Sequence, residues 1–281
     1  GLALTELSRK GVDITFEEQQ AAKIAILLHD IGHGPFSHAL EHTLIEGMHH
    51  EEISLLIIKE LDTQFNGQLE LALTIFTNKY HKKFLHQLIS GQLDVDRMDY
   101  LTRDSFFTGV IEGSIGYDRI IKMMVVHNGE LMVEEKGIYS IEKFLVARRL
   151  MYWQTYLHKT SLVAELTLTK ALQRAKELLQ NGENIECSVP LKHFMQHKIS
   201  FENFSNDDLD KFSQLDDFDI VSALKNWQYH ADFILSSLSK MIINRDLSKI
   251  KVQSEKFDDE VLQEISLRCA KQYAISQTEV K

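Results

Sequence analysis

The sequence HDIGHGPFSH at residues 29–38 decides the fold, and it follows an apolar stretch at residues 21–28. That stretch has the composition of a buried helix, and the Gly-His-Gly-Pro segment behind it would interrupt the helix. Six of the thirteen histidines lie between His29 and His50. Imidazoles beside a carboxylate suit a metal ion and a phosphate ester. A buried helix is therefore predicted to deliver His29 and Asp30 to a site, where the chain breaks and brings further histidines alongside.

Most of the chain has the hydrophobic periodicity of α-helices, and we predict a mostly α fold. Thr15 and Glu18 form the pattern of a capping box, which predicts the start of the helix that carries His29. Further helices are predicted at residues 37–45, 51–61, 69–76, 82–89, 93–107, 140–179 and 217–238, and from residue 258. Asn128-Gly129 predicts a β-hairpin over residues 124–133. Residues 249–253 resemble a short strand, and residues 183–216 are predicted to be irregular.

The composition is that of a globular protein, since 44% of the 281 residues are hydrophobic and 26% are charged. The formal net charge of −10 argues against nucleic-acid binding, which would need a local basic patch. No apolar run is long enough to span a bilayer, and no signal peptide is recognisable. Cys187 and Cys269 are far apart and show no metal-binding spacing, so we expect them to be reduced. We therefore expect a cytoplasmic protein without membrane contact.

The spacing of His29, Asp30 and His33 is compatible with metal binding. His33 follows His29 by four residues, which places both on one helix face if the helix persists that far. Nitrogen and carboxylate ligands without cysteine suit Mn, Fe, Zn or Ni better than a structural zinc site. The alternative is a chance cluster of solvated or core histidines, but this alternative gives no structural reason for the Gly-His-Gly-Pro break. The zinc-protease motif His-Glu-x-x-His is disfavoured because Asp30 is shorter than the required Glu and Gly32 would break the helix.

Four separated segments resemble the HD-domain phosphohydrolase superfamily, and in particular its deoxynucleoside triphosphate triphosphohydrolase branch. The first is the His-Asp doublet with its flanks at residues 27–38, and the second is His50-Glu51 followed by Ser54. The third is DVDRMDYLTRD at residues 94–104, and the fourth comprises Arg148, Tyr156, His158 and Lys159. The resemblance is good from residue 1 to about residue 170 and looser beyond. It implies an HD-domain helical bundle with the small β-hairpin as an accessory.

The resemblance implies a divalent metal ion (Mn, Fe, Zn, Ni or Mg) held by the pattern H…HD…D. His29 and Asp30 match the doublet, and Asp96 matches the last ligand. The first ligand of the family is an upstream histidine, and residues 1–28 contain no histidine. Either the chain starts just after that residue or the site is degenerate. The helix-like residues 2–7 favour the first explanation, and we expect a fragment that lacks pieces at both ends.

The resemblance also implies roles for residues around the metal. Three histidines match positions near the scissile phosphate, as candidates for general acid and charge stabilisation: His33, His38 and His50. Glu41 matches a carboxylate partner of His38. The cations that match triphosphate-binding positions are Arg97, Arg148 and Lys159. Tyr100 and Asp104 match residues that hold the sugar 3′-hydroxyl, and Tyr156 matches a further substrate contact.

These observations lead to one main hypothesis and two alternatives. The main hypothesis is a metal-dependent phosphohydrolase that acts on (deoxy)nucleoside triphosphates and releases nucleoside and triphosphate. The alternatives are an HD phosphodiesterase or phosphatase for another phosphorylated small molecule, and a non-catalytic nucleotide-sensing HD protein. We predict a catalytic core at residues 1–180 and a mainly helical accessory region at residues 181–281. From the habit of the family we also expect a homo-oligomer, either a dimer or a tetramer.

Overall fold

The computed structural model describes residues 1–45 and 47–276, apart from the side chains of residues 38, 41 and 42. The chain forms two compact units, Gly1–Ser248 and Lys249–Lys281. The helices are α1 (Leu2–Arg9), α2 (Phe16–Leu28), α3 (Glu41–Leu44), α4 (His50–Gln64), α5 (Glu70–Phe76), α6 (Lys83–Gln87), α7 (Val95–Thr108), α8 (Tyr117–Met123), α9 (Ile138–Met151), α10 (Lys159–Gln180), α11 (Val189–Gln196), α12 (Asn206–Phe212), α13 (Asp217–Trp227), α14 (Phe233–Ile243) and α15 (Asp259–Tyr273), and the strands are β1 (Met124–His127) and β2 (Glu130–Val133). The prediction of a mostly α fold with a small β-hairpin is confirmed. Among the described residues, no helix has the length and apolar character needed to cross a bilayer.

Helix α2 begins where the sequence predicts, because Thr15 caps it. The Glu18 backbone N–H donates to the Thr15 hydroxyl (3.2 Å), and the Thr15 N–H donates to the Glu18 carboxylate (2.8 Å). Glu18 is buried and also accepts hydrogen bonds from the Tyr80 hydroxyl (2.6 Å) and the Lys82 ammonium (2.9 Å). These hydrogen bonds offset the cost of burying a carboxylate. They fix the start of the helix that leads to His29.

The β-hairpin also has the predicted strands and turn. β1 and β2 pair antiparallel, and Asn128 and Gly129 have φ angles of 52° and 81°. Positive φ at both central residues is what a type I′ turn requires. The Leu131 N–H donates to the Gln87 side chain (2.7 Å), which attaches the hairpin to α6.

The single helix predicted over residues 140–179 is wrong, because this region forms α9 and α10. α9 starts ahead of the predicted cap and continues into a π-helical turn at Tyr152–Tyr156. His158 then adopts an extended conformation, and its Nδ1 accepts a hydrogen bond from the Thr160 N–H (3.2 Å), which caps α10. The apolar period continues through both helices, so the sequence pattern does not reveal the break.

The predicted irregular stretch at residues 183–216 contains two helices. The Ser188 hydroxyl caps α11, and the Ser205 hydroxyl caps α12. Farther along, the helix predicted over residues 217–238 is interrupted between α13 and α14, where the Asp232 carboxylate caps α14. Each of these short helices starts at a side-chain cap, which shows that capping residues outweighed the overall polarity of the segment.

Two other short predictions are also wrong. The segment 37–45 forms a 3₁₀ turn at Ser37–Ala39 followed by α3, because Phe36 and Ser37 have positive φ angles of 56° and 48° that a helix cannot adopt. Residues 249–253 are irregular, and no strand among the described residues pairs with them. An isolated strand leaves its backbone groups unpaired, so the alternating pattern alone does not produce one.

Two hydrophobic cores hold the first unit together. One core is built from α1, α2, α5–α9 and β1, and the other from α3, α4 and α10–α14. α10 packs against α14 and α11, which follow it, and against α3, which precedes it. Helices from both sides of residue 180 therefore share a core, and a domain boundary at that residue stays a prediction.

An ion pair between Arg174 and Asp232 joins α10 to α14. The guanidinium donates through Nε to Asp232 Oδ1 (3.2 Å) and through a terminal nitrogen to Oδ2 (2.6 Å). Both side chains are largely buried, at 18% and 14% exposure. Burial alone would raise the pKa of Asp232, but hydrogen bonds from Arg174 and the Leu235 N–H outweigh it and hold the pKa below its usual value. The pair therefore stabilises the folded state when Asp232 is ionised.

We predict that Asp232→Asn lowers the free energy of unfolding by about 3 kcal/mol at neutral pH, because it removes the buried counter-charge of the Arg174 guanidinium and leaves this group with the exposed Glu177 carboxylate at 3.4 Å. The folded-state pKa of Asp232 is lowered, so its contribution is complete above the unfolded pKa of about 3.9 and is lost as pH falls through the folded value. The difference in free energy of unfolding between the variant and the unsubstituted chain should therefore become smaller below about pH 4. Urea denaturation at several pH values measures it. The control is Asp207→Asn, which removes an exposed carboxylate that pairs with Lys211 and should cost under about 1 kcal/mol.

Candidate active site

The end of α2 is held against the start of α4 by the buried hydroxyl of Ser54. This hydroxyl donates to the His29 backbone carbonyl (2.8 Å) and accepts from the Gly32 N–H (2.9 Å). A Cβ at Gly32 would lie 2.2 Å from the His50 carbonyl oxygen and 2.3 Å from the Ser54 nitrogen. Glycine at residue 32 is thus required by the close approach of two backbone segments. The break after α2, which the sequence predicts, places His29, Asp30 and His50 next to one another.

Asp96 reaches the same place from the first turn of α7. The Asp94 carboxylate caps this helix by accepting from the Arg97 N–H (2.7 Å), so Asp96 projects toward the end of α2. His29 Nε2 lies 3.3 Å from Asp30 Oδ2 and 3.6 Å from Asp96 Oδ1. The three side chains can place one ligand atom each within 4.8 Å of one another. The structure therefore brings together the three residues predicted to hold a metal.

The donor atoms of this cluster fit a divalent metal. His29 Nδ1 lies 2.7 Å from the Ile26 carbonyl oxygen, so this nitrogen donates a hydrogen bond to that oxygen, and Nε2 is the ring nitrogen that faces the carboxylates. Burial lowers the pKa of His29, but Asp96 and Asp30 raise it more, and the net pKa is above its usual value. The interaction with His29 holds the pKa of Asp96 below its usual value. A cation is thus favoured among these carboxylates.

Asp30 also belongs to a second group of possible ligands, with His33 and His50. His33 Nε2 lies 3.7 Å from Asp30 Oδ1, and the His33 and His50 rings stack with centroids 3.9 Å apart. Ligand atoms of the three residues again lie within 4.8 Å of one another. His50 Nδ1 lies 3.5 Å from Glu51 Oε2. Two predicted catalytic histidines therefore lie beside the metal cluster and share its Asp30.

A cleft of about 720 Å³ extends from the metal cluster. Its walls include predicted site residues and several additional side chains: His29, Asp30, His33, His50, Glu51, Asp94, Asp96, Arg97, Tyr100, Arg103, Asp104, Arg148, Tyr152 and Tyr156. The volume is within the range of pockets that bind small molecules. The cleft therefore combines possible metal ligands with cationic and hydroxyl groups.

The arginines in the cleft differ in how they are engaged. The Arg97 guanidinium pairs with the buried Asp94 carboxylate and donates to the Gly91 carbonyl (2.5 Å). Its Nε is buried and has no hydrogen-bond partner among the described residues. Burial raises the pKa of Asp94 despite the hydrogen bonds from Arg97 and Gly91. Arg148 lies over the Tyr152 ring at 5.8 Å, and Arg103, which also lines the cleft, pairs with Asp99 (2.7 Å).

A tyrosine cluster forms another part of the cleft wall. The Tyr156 hydroxyl donates to Asp104 Oδ2 (2.6 Å), and the Tyr156 ring meets those of Tyr100 and Tyr152 edge-on at 6.2 and 5.2 Å. Burial and the Asp104 carboxylate raise the pKa of Tyr156 far above its usual value. Burial likewise raises the pKa of Tyr100. Both hydroxyls therefore remain protonated and can donate hydrogen bonds.

Some predicted site residues are placed elsewhere or lie outside the described residues. Lys159 is exposed at the start of α10 and is not among the residues that line the cleft. The side chains of His38 and Glu41 lie outside the described part of the structure. Sequence reasoning missed Tyr152 as a cleft residue and Ser54 as the link between α2 and α4. The position of Ser54 four residues after His50, in the second motif, was the available signal.

Known proteins share this architecture. A family described as "HD domain" matches residues 2–104, and one described as "HD associated region" matches residues 115–187. The crystal structure of a phosphohydrolase from Bacteroides thetaiotaomicron is 51% identical, with a TM-score of 0.96 over 99% of this chain and 70% of that one. The chain belongs to the HD-domain phosphohydrolase family. The resemblance noted in the sequence is thereby confirmed.

Two curated relatives show how far the similarity extends. The uncharacterized protein YwfO of Bacillus subtilis is 33% identical over 88% of this chain, which spans only 58% of that protein. A deoxynucleoside triphosphate triphosphohydrolase SAMHD1 homolog of Dictyostelium discoideum is 26% identical over 64% of this chain and 38% of that protein. The chain thus spans little more than half the length of the first relative.

We predict that Gly32→Ala destabilises the fold by about 2–3 kcal/mol, because its Cβ would overlap backbone atoms of His50 and Ser54. Separation of the end of α2 from the start of α4 should also lower metal content, since the position of His29 depends on the same contact. Denaturation and elemental analysis measure the two effects. The control is Gly116→Ala, whose Cβ would meet no atom within 4 Å and which should cost no more than about 1 kcal/mol. Equal losses of stability and of metal content in the two variants would contradict the role assigned to Gly32.

Proposed function

We propose that this protein is a metal-dependent phosphohydrolase that converts (deoxy)nucleoside triphosphates to nucleoside and triphosphate. The observation that carries the proposal is the cleft in which the His29–Asp30–Asp96 cluster lies beside Arg97 and Arg148. The similarity to the Dictyostelium deoxynucleoside triphosphate triphosphohydrolase homolog supports the choice of substrate. We also propose that the protein is a homo-oligomer.

The residues that would hold the metal are His29, Asp30 and Asp96. When bound there, a divalent ion supplies Lewis acidity, which polarises a phosphoryl oxygen and makes a water molecule more acidic. The Ile26 carbonyl orients the His29 ring, and the Asp94 cap orients the first turn of α7 that carries Asp96. The chain therefore holds His29 through a backbone contact and Asp96 through a helix cap.

The cleft residues would bind the phosphates and move a proton. Water adds its oxygen to the α-phosphorus, and the bond from that phosphorus to the sugar O5′ breaks. O5′ must gain a proton, which His50 or the stacked His33 would donate as a general acid. Arg148 and Arg97 Nε would stabilise negative charge that grows on the phosphoryl oxygens. Nucleoside and triphosphate then leave as products.

The tyrosine wall would hold the sugar. Asp104 accepts from Tyr156, which leaves a carboxylate oxygen that can accept a hydrogen bond from a sugar hydroxyl. Tyr100 lies beside this pair and offers a protonated hydroxyl. Binding of the sugar by hydroxyls and of the phosphates by cations would orient the scissile bond toward the metal ligands.

A second candidate is phosphomonoester or phosphodiester hydrolysis of another small molecule. It is favoured by the engagement of Arg97 with Asp94 and by the position of Lys159, which reduce the cations available for a triphosphate. The second ligand group, which shares Asp30, also suits a compact phosphate site. Arg148 discriminates between the two candidates, because it lies in the cleft and a triphosphate would need it more.

We predict that Arg148→Ala raises KM for a nucleoside triphosphate by about 10-fold or more, since a charged hydrogen bond contributes roughly 1.5–3 kcal/mol. Hydrolysis of a small phosphomonoester should change much less. The measurement is steady-state kinetics on both substrates with the same preparation. Lys143→Ala, an exposed change on the same helix, is the control. Equal losses on both substrates would favour the second candidate.

We predict that His50→Ala lowers kcat by about 10²–10⁴ while metal content is nearly unchanged, because His50 would serve as proton donor and not as a ligand of the His29 cluster. Turnover and bound metal should be measured on the same sample. His127→Ala, at the exposed end of β1, controls for loss of any imidazole. Loss of metal together with activity would assign His50 to the ligand group with Asp30 and His33, and unchanged activity would exclude it from catalysis.

A further inference from the structure

The segment that joins His33 to His38 has a strained backbone, and we name residues 33–38 the His33 loop. Phe36 and Ser37 have φ angles of 56° and 48°, so two consecutive residues with side chains are left-handed. Side chains disfavour this conformation, and it persists only where surrounding contacts hold it. The contacts that hold the His33 loop therefore also decide where its histidines lie.

One of these contacts comes from the start of α13, far along the chain. Asp217 is the first residue of α13, and its carboxylate accepts a hydrogen bond from the Phe36 backbone N–H (2.8 Å). The preceding residue, Asp216, has a different role, because its carboxylate caps α13 by accepting from the Phe218 N–H (2.8 Å). The cap fixes the start of the helix, and Asp217 connects that start to the strained residue.

A second contact comes from the end of α12. The Phe212 ring is buried, and a Cβ at Gly34 would lie 3.2 Å from two of its carbon atoms. Phe212 and the two stacked histidines line one small cavity. α12 is itself held by its contact with α11, where His193 Nε2 lies 2.6 Å from the buried Asp208 Oδ1. The His33 loop thus rests on two helices that follow residue 180.

The His33 imidazole depends on this loop for its position. Its side chain is 18% exposed, lies 3.7 Å from Asp30 Oδ1 and stacks on the His50 ring at 3.9 Å. Ser54 fixes the backbone just before His33, and Asp217 fixes the backbone three residues after it. Release of the second point would let the ring move relative to the cleft, although Asp217 is not among the residues that line the cleft.

We propose that Asp217 is a positioning residue of the active site. Its carboxylate holds the Phe36 N–H and thereby keeps the His33 imidazole against His50, where a proton must reach the leaving oxygen. The effect on rate rests on the proposed function, whereas the effect on the position of His33 does not. The region beyond residue 180, which the sequence predicts to be accessory, therefore contributes to the geometry of the site.

The first test is steady-state kinetics of the metal-loaded chain with a nucleoside triphosphate. Asp217→Ala should lower kcat about 10-fold with KM and metal content nearly unchanged, because His33 is displaced and the cations of the cleft are not. Asp217→Asn keeps an oxygen that can accept from Phe36, and it should retain most of kcat. The control is Asp259→Ala, which removes a carboxylate from the same position of α15 and should change nothing.

A double-variant comparison shows whether Asp217 acts through His33. In a His33→Ala background, Asp217→Ala should cause little further loss of kcat, because the group that it positions is already absent. Losses that multiply in the double variant H33A/D217A would overturn the proposal. An equal loss of kcat in Asp217→Asn and Asp217→Ala would also overturn it, since the amide can still hold Phe36.

Chemical labelling reports the position of His33 without substrate. Diethyl pyrocarbonate acylates accessible imidazoles, and mass spectrometry locates the label. His33 should react several-fold faster in Asp217→Ala and at the original rate in Asp217→Asn, with His127 at the exposed end of β1 as internal reference. Unchanged labelling of His33 in Asp217→Ala would overturn the proposal. A chain that shows the labelling difference but hydrolyses no nucleoside triphosphate would contradict only the proposed function.

Discussion

The active site depends on one buried hydroxyl, that of Ser54, which joins the end of α2 to the start of α4. It donates to the His29 carbonyl and accepts from the Gly32 N–H, so a single oxygen satisfies two backbone groups at the point where the helix stops. The contact is possible because residue 32 lacks a side chain and lets the two backbones approach. The ligands on α2 and the histidine on α4 consequently have fixed relative positions before any ion or substrate binds, which is the preorganisation that catalysis requires.

The fold could be predicted from the sequence where structure is decided by neighbouring residues. The Thr15 cap and the Asn128-Gly129 turn use hydrogen bonds or φ angles that depend on two to four adjacent residues, and both appear as predicted. The break between α9 and α10 could not be predicted in this way. His158 leaves the helix beside Tyr156, whose hydroxyl bonds to Asp104 on α7, a contact distant in sequence. Tertiary contacts thus override a continuous helical pattern.

The residue types of the candidate site could be predicted from the sequence, but the side chains that pair with its cations could not. The His-Asp doublet and the later aspartate indicated which residues would meet, because few other functions use that combination. Neighbouring side chains decide which cation can bind a phosphate, and the sequence does not show these neighbours. Arg97 is engaged by Asp94, since Asp94 both caps α7 and is buried beneath the guanidinium. A prediction from residue type alone treats Arg97, Arg148 and Lys159 as equivalent, and their surroundings make them different.

α9 connects two surfaces that sequence reasoning would treat separately. Adjacent residues on a helix point about 100° apart, so Arg148 can face the cleft while Arg149 faces solvent. The π-helical turn that follows carries Tyr156 to Asp104 and leaves Trp153 beside Arg149. A shift of this helix along its axis would therefore move a cationic wall of the cleft and its tyrosine wall together.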